Sequence, residues 1–386
     1  MKAVVIREFG PPEVMRLEEV PTPVPGPGEV LIRVRAVSVN RTLDLVVRSG
    51  KYAMPVKLPH VLGVDPSGVV EAVGPDVSER KAGDRVVTMQ YLKQPSPAAP
   101  PSIIGVHGWG GYAEYVKVPA ALTRPIPQGI DFPIATVVAR HAPTAFSLLR
   151  DTAQLKSGEW ILIMGAAGGL GAAGIQVAKY FGANVIAAAG ADARVQAAIS
   201  LGADHAVNYR RQDLEAEVKR ITDGQGVNVV FENISDPELF PKAFACLTRL
   251  GRLVTAGAHG GGTVPLDAKN LYLKQLTVFG SFGKVLPSDV ELGLKAAAEG
   301  RYRVLIDKVM PLAATGAVHK VAGEIYVEEL NKRGGLLGRK VEWVLKDDQS
   351  RPDLARTLYE QLITVDKVDL LIGPYATANI VAAVGV

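Results

Sequence analysis

The sequence has few of the residues that build covalent cross-links and metal centres. Its 386 residues include six histidines and one cysteine, Cys246. A single cysteine excludes an internal disulfide framework and a zinc site made of several thiolates. Cys246 lies in the apolar run Ala243–Leu247, so we predict a buried thiol in a hydrophobic core.

Long apolar runs and blocks of like charge are also lacking. No uninterrupted apolar stretch reaches the ~20 residues that a membrane span needs, and the opening MKAVVIREFG lacks the apolar stretch and cleavage site of a signal peptide. Charged residues make up 21% of the chain, are scattered along it and leave a net charge of only +4, which argues against a nucleic-acid-binding face. We therefore expect a cytoplasmic protein with neither nucleic acid nor a membrane as partner.

The residues that are present follow two patterns. Up to about residue 120, β-branched residues alternate with polar ones in Val30–Val39, Val69–Val73 and Arg85–Met89, a period that predicts half-buried strands. The stretch Gln94–Ile103 is rich in proline and alanine and predicts a loop. From about residue 125, short apolar strands alternate with helices, which predicts a doubly wound parallel sheet covered on both faces. The predicted strands of this part are Glu159–Met164, Asn184–Ala188, Ala206–Val207, Val227–Phe231 and Arg252–Ala256, and the helices are Gly171–Phe181, Arg194–Leu201 and Leu214–Thr222.

The turn after the first of these strands has the pattern of a dinucleotide site. An apolar strand feeds a glycine-rich turn from which a helix begins. Glycine permits a tight turn and lets the backbone approach a pyrophosphate closely, and the N–H groups at the start of the helix face that anion. The residues predicted to bind the pyrophosphate are Gly165, Ala167, Gly168, Gly169, Leu170 and Gly171.

The end of the next strand bears on the choice between NAD and NADP. An NAD site usually has an acidic residue there, which binds the ribose 2′-hydroxyl. Here the strand ends in Ala188-Ala-Gly190-Ala191, and Asp192 comes slightly late, with Arg194 after it. A small residue beside a cation leaves room for a 2′-phosphate and favours NADP(H), although Arg194 could equally be a solvated helix residue.

These residues resemble the medium-chain dehydrogenase/reductase superfamily, in its zinc-free quinone oxidoreductase branch, over about residues 1–310. The residues that carry the resemblance are Ser38–Arg41, Asp44, Arg48–Tyr52, Pro59–Asp65, Gly68–Val70, Gly83–Val86, Gly110–Tyr115, Ala142–Phe146, Gly165–Gly171, Leu201–Asp204, Asn208–Arg210, Gly251–Arg252 and Phe279–Ser281. The resemblance implies an α/β protein with two domains. A GroES-like, mainly-β catalytic domain would cover residues 1–125 and be completed by about 285–311, and a Rossmann domain would cover 126–284.

The resemblance also addresses zinc. Asn40 stands where the alcohol dehydrogenases of the superfamily have a catalytic cysteine, and Val64-Asp65 replaces their His-Glu pair. Residues 90–110 contain none of the cysteines of the structural zinc lobe. His60 and Asp65 alone make a poor zinc site, so we expect no metal.

Several residues receive catalytic roles from the resemblance. Tyr52 matches a tyrosine that donates a proton in related enoyl reductases, with a structural, partly buried tyrosine as the alternative. Asn40 would orient cofactor or substrate, and Arg41 would face the site. The spacing of Asp44 and Arg48 predicts an ordinary pair on a helix surface.

Other residues receive cofactor roles from the resemblance. Arg194 and Tyr209, beside Gly190, match positions that hold the 2′-phosphate, and Asn233 would face the adenosine side. Thr144, Phe279 and Ser281 would line the nicotinamide. The histidines predicted to be structural are His107, His141, His259 and His319.

Residues 312–386 resemble the N-terminal lobe of type I periplasmic binding proteins. The residues that carry this second resemblance are Glu328–Val341, Asp347–Ser350, Asp366–Asp369 and Gly373–Tyr375. They predict an additional β-α-β segment made of helix Val321–Lys332, strand Lys340–Leu345, helix Pro352–Thr364 and strand Val368–Ile372. Only the opening of one lobe is present, so we expect a fused segment with a structural role.

Together these features predict an enzyme that uses NADP(H), without zinc, to reduce a small quinone or an α,β-unsaturated carbonyl compound. An alcohol dehydrogenase and a catalytically inert nucleotide-binding fusion protein are the alternatives. Relatives commonly pair into dimers, so a homodimer is expected.

Overall fold

A computed structural model describes residues 1–40, 43–52, 54–94, 96–258, 260–306 and 308–319. Its strands are β1 (Lys2–Ile6), β2 (Arg16–Glu19), β3 (Glu29–Ala36), β4 (His60–Val61), β5 (Ser67–Val73), β6 (Arg85–Thr88), β7 (Tyr91–Lys93), β8 (Ser102–Ile103), β9 (Tyr115–Pro119), β10 (Thr123–Pro125), β11 (Trp160–Met164), β12 (Asn184–Ala189), β13 (His205–Asn208), β14 (Val227–Glu232), β15 (Leu247–Thr255) and β16 (Thr277–Gly280). Its α-helices are α1 (Leu43–Arg48), α2 (Phe132–Phe146), α3 (Gly169–Tyr180), α4 (Asp192–Ser200), α5 (Leu214–Ile221), α6 (Leu239–Ala245), α7 (Ala268–Leu273) and α8 (Pro287–Ala298). The predicted C-terminal β-α-β segment lies outside the described residues.

The first part of the chain is mainly β, as predicted. Five antiparallel strands lie in the order β10-β6-β5-β3-β9, and β2-β1-β4 form a second sheet. The alternation in these strands turns fully buried side chains toward one core, among them Val30, Ile32, Val70 and Val86. The predicted loop Gln94–Ile103 is irregular until the short strand β8, which pairs with β7.

The second part contains six parallel strands in the order β13-β12-β11-β14-β15-β16. This is the order of the doubly wound fold, so the predicted Rossmann sheet is confirmed. The central strands are apolar because helices cover both of their faces, and Ile161–Met164 and Val229–Phe231 are fully buried. Strand β15 begins at Leu247 rather than at the predicted Arg252. Its first part contains Leu250, a residue with positive φ.

Helix α2 lies beside this sheet and was not predicted over most of its length. Asp131 caps it by accepting a hydrogen bond from the Ile134 N–H at 2.8 Å. Helix α8 packs closely against it, because Gly293 leaves room for Ala142 and Val138. Six residues in a π-helical conformation, Ser147–Thr152, follow α2 directly. Among the described residues, no helix is both long and apolar enough to cross a membrane.

Cys246 is buried, with 1% of its surface exposed, as predicted. It packs in the apolar cluster between the Rossmann sheet and helices α5 and α6. Burial raises the pKa of the Cys246 thiol to about 12. The thiol therefore remains protonated at neutral pH and takes a packing role.

A buried polar network corrects the predicted surface pair of Asp44 and Arg48. Asp44 is fully buried and accepts hydrogen bonds from the Tyr112 hydroxyl at 2.7 Å and from the Asn40 N–H at 2.8 Å. Arg48 is also buried and donates to the Gly10 carbonyl at 3.1 Å. The His319 Nε2 lies 3.3 Å from the Tyr112 hydroxyl oxygen, and its Nδ1 lies 3.5 Å from Arg48 Nη1. The prediction was wrong because i,i+4 spacing places two residues on one helix face but does not determine whether that face is exposed or buried.

Burial sets the protonation of this network. Loss of solvation raises the pKa of Asp44 to about 7 and lowers the pKa of His319 to about 3. Both groups therefore favour their neutral forms in the folded protein.

We expect Asp44→Asn to reverse a pH-dependent loss of stability. Burial raises the pKa of Asp44 from its ordinary value of 3.8 to about 7 in the folded protein, so the contribution of Asp44 to stability is complete below pH 3.8 and is lost as pH rises through about 7. An amide cannot ionise. The free energy of unfolding of the variant, relative to the original protein, should rise by about 3 kcal/mol between about pH 4.5 and about pH 8 in urea titrations.

Asp151→Asn is the control for this series. Hydrogen bonding to Arg150 lowers the pKa of Asp151, so the stability that Asp151 contributes is already complete above about pH 4.5 and is lost only in more acidic solution. The relative stability of Asp151→Asn should therefore stay constant between about pH 4.5 and about pH 8. A difference for Asp44→Asn that is constant across the pH range would mean that Asp44 is ionised in the folded protein throughout.

Candidate active site

The candidate site lies at the carboxyl ends of β11 and β14. These strands are neighbours in the sheet, but the chain leaves β11 toward β12 and later crosses back to add β14 on the other side. A crevice forms where strand order reverses in this way, and ligands of doubly wound proteins bind there.

The glycine-rich turn closes tightly over the end of β11. Gly165 has a φ of +64°, and its carbonyl accepts a hydrogen bond from the Gly168 N–H at 2.9 Å. A Cβ on Gly171 would lie 2.3 Å from the Gly165 carbonyl oxygen, so α3 can start this close to the strand only without a side chain there. Gly171 is buried, while Ala167, Gly168, Gly169 and Leu170 are partly or fully exposed.

The start of α3 fits a phosphate group. Gly168 is its N-cap and provides no capping side chain. The backbone N–H groups of the first turn of a helix have no partner within the helix and attract anions. The residues present therefore fit the pyrophosphate of a dinucleotide.

Asn233 and Glu232 form the other side of the crevice. Asn233 donates from Nδ2 to the Met164 carbonyl at 3.1 Å, and its Oδ1 is buried without a hydrogen-bond partner in the described part of the chain. Glu232 accepts from the N–H groups of Ile234 at 2.8 Å and Ser235 at 2.9 Å. This buried carboxylate shapes the turn next to the glycine loop. The sequence feature that could have indicated Glu232 is an acidic residue at the end of an apolar strand.

At the end of β12, Gly190 lies against Tyr209. A Cβ on Gly190 would lie 2.9 Å from the Tyr209 hydroxyl oxygen. Asp192 accepts hydrogen bonds from Asn208 Nδ2 at 2.6 Å and from the Arg211 guanidinium, which forms an ion pair with it. The carboxylate near this strand end is therefore already engaged, and Arg194 lies two residues further along α4.

Thr144 and the segment after β16 lie together, as the resemblance implies. A Cβ on Gly283 would lie 3.0 Å from Thr144 Cγ2, and the Ser281 Oγ accepts a hydrogen bond from the Gly283 N–H at 3.0 Å. Phe279 lies in β16, one residue before that strand ends. These contacts place Thr144 beside the segment that contains Ser281.

The same segment binds the mainly-β part of the chain. The Tyr91 hydroxyl donates to the Phe282 carbonyl at 3.2 Å. Gln94 donates from Nε2 to the Val285 carbonyl at 2.7 Å and accepts from the Val285 N–H at 3.3 Å. The loop after β16 is therefore held between Thr144 and the mainly-β part.

Tyr52 is half-buried on the mainly-β side. Its ring meets the edge of the His107 ring, with 6.4 Å between centroids. Loss of solvation raises the pKa of Tyr52, with a smaller opposing effect from the charge of Arg140. The phenol is therefore protonated at neutral pH and is able to donate a proton.

Asn40 has a structural role at the start of α1. Its Oδ1 accepts a hydrogen bond from the Leu43 N–H at 2.9 Å, and its own N–H donates to Asp44. Its predicted role toward a ligand stays a prediction. Arg41, the third predicted catalytic residue, lies outside the described residues.

Two adjacent residues of α2, which the sequence analysis did not single out for the site, extend it. A Cβ on Gly169 would lie 2.4 Å from His141 Nε2, so the His141 ring rests on the glycine turn. Burial lowers the pKa of His141 to about 3, so the ring is neutral. Arg140 Nε is buried without a hydrogen-bond partner among the described residues. The sequence feature that could have indicated Arg140 is a charged residue within an apolar helix, two residues before the Ala142–Phe146 motif.

The other predicted structural histidines are in different surroundings. His107 accepts a hydrogen bond from the Ile103 N–H at 3.0 Å, and His319 belongs to the buried network described above. His259 lies outside the described residues.

The residues at the metal positions of related dehydrogenases are engaged in other contacts. Asp65 is buried and accepts from the Ser38 N–H at 2.8 Å and from the Ser38 hydroxyl at 2.5 Å. His60 is buried, and its Nε2 has no hydrogen-bond partner among the described residues. Within the described ranges, no three or more His, Cys, Asp or Glu side chains are grouped as metal ligands.

Family models match three successive segments of the chain. Residues 26–128 match the alcohol dehydrogenase GroES-like domain, and residues 169–299 match the family called zinc-binding dehydrogenase. Residues 304–386 match a periplasmic binding protein family, which supports the second resemblance.

Individual proteins match most of the chain. The quinone oxidoreductase of Sus scrofa is 31% identical over 325 residues, which are 83% of this chain and 93% of that protein. A 2-haloacrylate reductase of Burkholderia sp is 31% identical over 339 residues, 83% of this chain and 95% of that protein. The structure of Escherichia coli quinone oxidoreductase complexed with NADPH matches with a TM-score of 0.71 and 27% identity, over 84% of this chain and 97% of that one. The chain therefore belongs to the medium-chain dehydrogenase/reductase superfamily as an oxidoreductase with quinone oxidoreductases among its relatives, and it carries a C-terminal segment similar to periplasmic binding proteins.

Proposed function

We propose that the protein reduces a quinone or an α,β-unsaturated carbonyl compound with NADPH and without zinc. The glycine turn at the strand-order reversal, with Thr144 and the Ser281 segment beside the same crevice, is the observation that carries the proposal. In this proposal residues 1–125, completed by about 285–311, form the catalytic domain, and residues 126–284 form the cofactor domain. A homodimer and a cytoplasmic location remain predictions.

The preference for NADPH is supported by the end of β12. Asp192 is paired with Arg211 and accepts from Asn208, so its carboxylate is not available in the way that an NAD-binding acid is. The Tyr209 hydroxyl lies beside Gly190, and Arg194 lies in the first turn of α4, two residues after Asp192. Arginine guanidinium groups suit the binding of a phosphate.

In this proposal Tyr52 donates the proton to the acceptor. The bound nicotinamide would provide the hydride, and the residues of the chain would hold the acceptor and deliver the proton. Tyr52 is half-buried and its raised pKa keeps it protonated. A positioned phenol of this kind can act as a general acid.

Independence from zinc is supported by the chemistry of the donor set. Asn40 replaces a thiolate with an amide whose oxygen caps α1, and Asp65 is held by Ser38. His60 is left as a single imidazole, which is too few ligands for zinc. An alcohol dehydrogenase is the second candidate, because the family models carry that name, and stoichiometric bound zinc would favour it.

The test of the proposed function is a fluorescence titration with NADPH and NADH, followed by NADPH oxidation with a small quinone and an enone, each with and without a chelator. We expect tighter binding of NADPH and turnover that the chelator leaves intact. Loss of turnover with the chelator would transfer support to the alcohol dehydrogenase candidate. Tight nucleotide binding with neither acceptor reduced would support an inert binding protein.

We expect Ala191→Asp to weaken NADPH binding by about tenfold or more, with little loss for NADH. Ala191 is the N-cap of α4, where an aspartate is a good cap but adds a negative charge near the expected 2′-phosphate. Ala191→Asn is the matched control, because it caps the helix without charge. Dissociation constants from fluorescence titration would measure both. Equal weakening for the two cofactors would locate the 2′-phosphate elsewhere.

We expect Tyr52→Phe to lower kcat by about 100-fold, because a general acid commonly contributes at least that much. The dissociation constant of NADPH should not change. Tyr272→Phe is the control, since Tyr272 is exposed on α7 and its change should leave kcat as it was. Steady-state rates with an enone would measure both variants. Full activity in Tyr52→Phe would contradict the proposed role of Tyr52 as proton donor and would favour a structural role.

A further inference from the structure

Arg140 lies on the face of α2 that points toward the candidate substrate side. Thr136, Arg140 and Thr144 are four residues apart, so they share one helix face. At one end of that face, the Thr136 hydroxyl donates to the Ser67 Oγ at 2.8 Å in the mainly-β part. At the other end, Thr144 contacts the segment after β16. Arg140 therefore lies midway between the two ends of the cleft.

The Arg140 guanidinium has no counter-ion among the described residues. Its Nε is buried and makes no hydrogen bond, while the residue as a whole is only partly buried. Both oxygens of the nearby Asp65 accept from Ser38, and Asp44 Oδ2 accepts from Tyr112, while Asp44 Oδ1 makes no hydrogen bond among the described residues. A partly buried cation without a partner is costly, and an arginine does not relieve the cost by losing its proton.

The charge of Arg140 reaches the substrate side of the cleft. Burial raises the pKa of Asp44, Asp65, Tyr52 and Tyr91, and the charge of Arg140 opposes that rise as a smaller effect in all four. These four groups belong to the mainly-β part of the chain. Its neighbour His141 instead contacts Gly169 of the cofactor turn. Consecutive helix residues point about 100° apart, so Arg140 lies on the face of α2 that meets the mainly-β part, and His141 lies on the face that meets the glycine turn.

We propose that Arg140 binds the carboxylate of the substrate, and that this reductase acts on α,β-unsaturated carboxylic acids. The inference rests on the proposed function and specifies its substrate class. A guanidinium matches a carboxylate in a two-point contact and makes strong charge-assisted hydrogen bonds with it. An unsaturated acid would supply the anion that the cleft lacks.

The proposed reduction consumes one hydride from NADPH and one proton from water. The hydride adds to the β-carbon of the double bond, and the electron pair of that bond moves toward the carboxylate, whose oxygens gain negative charge beside Arg140. The α-carbon then takes a proton, with Tyr52 as the proposed donor, and Tyr52 is reprotonated from water. The products are the saturated acid and NADP⁺. Because negative charge on the oxygens increases during the step, the guanidinium stabilises the transition state more than the bound substrate.

The test uses crotonate, methyl crotonate and a small quinone as acceptors for the full-length protein with NADPH. An ester accepts hydride more readily than a carboxylate in the absence of a protein contact. We therefore expect kcat/KM for crotonate to exceed that for methyl crotonate in the original protein. Arg140→Gln should lower kcat/KM for crotonate by about 100-fold, as expected for loss of a charge-assisted contact, and should change quinone turnover by less than about threefold.

Binding provides a readout that does not depend on turnover. Butyrate, a saturated acid, should bind the NADPH complex of the original protein and not that of Arg140→Gln, as measured by calorimetry. Arg140→Lys should retain part of the crotonate activity because it keeps the charge. Arg220→Gln, an exposed change on α5, should leave every value as it was. Unchanged NADPH affinity in Arg140→Gln would establish that the variant is folded.

Three outcomes would overturn the inference. The first is a preference of the original protein for the ester. The second is an equal loss of crotonate and quinone turnover in Arg140→Gln. The third is weaker NADPH binding in that variant, which would assign Arg140 to the cofactor. Failure of the proposed function is distinguishable, because the original protein would then reduce neither the quinone nor any enone.

Discussion

The close approach of helix α3 to strand β11 is the constraint on which the rest of the site depends. With no side chain on Gly171, the helix begins in contact with the Gly165 carbonyl, and its first N–H groups open onto the crevice. A Cβ on Gly171 would push the helix away from the sheet. In the proposed function, this one backbone contact positions the pyrophosphate and with it orients the dinucleotide.

Helix α2 joins this turn to the rest of the cleft. Its His141 rests on the turn, its Thr144 meets the segment after β16, and its Thr136 bonds to the mainly-β part. Gln94 and Tyr91 hold the segment after β16 from the opposite side. The cleft is therefore lined by parts that are far apart in sequence but fixed to one another through hydrogen bonds and packing.

The features that could be predicted from the sequence are those that depend on residues close together along the chain. The glycine turn, its strand and its helix are contiguous, so local chemistry was sufficient to place them. Five of the six strands of the Rossmann sheet were predicted for the same reason, and β16 was not. Asp44 and Arg140 were not, because their meaning depends on what a helix face meets after folding. Asp44 has the spacing of a surface pair with Arg48, but the fold buries it and bonds it to the Tyr112 hydroxyl, which in turn lies beside His319.

The position of His141 has a consequence for how the two ligand sites communicate. Its ring fills the space above Gly169, and the peptide unit directly before it carries Arg140. A ligand that displaces the glycine turn must move this ring, and the same backbone segment then reorients the neighbouring cation. In the proposed function, such a movement would couple occupancy of the cofactor site to occupancy of the acceptor site through two adjacent residues. Such coupling would be reciprocal, so each ligand would change the affinity for the other by the same factor.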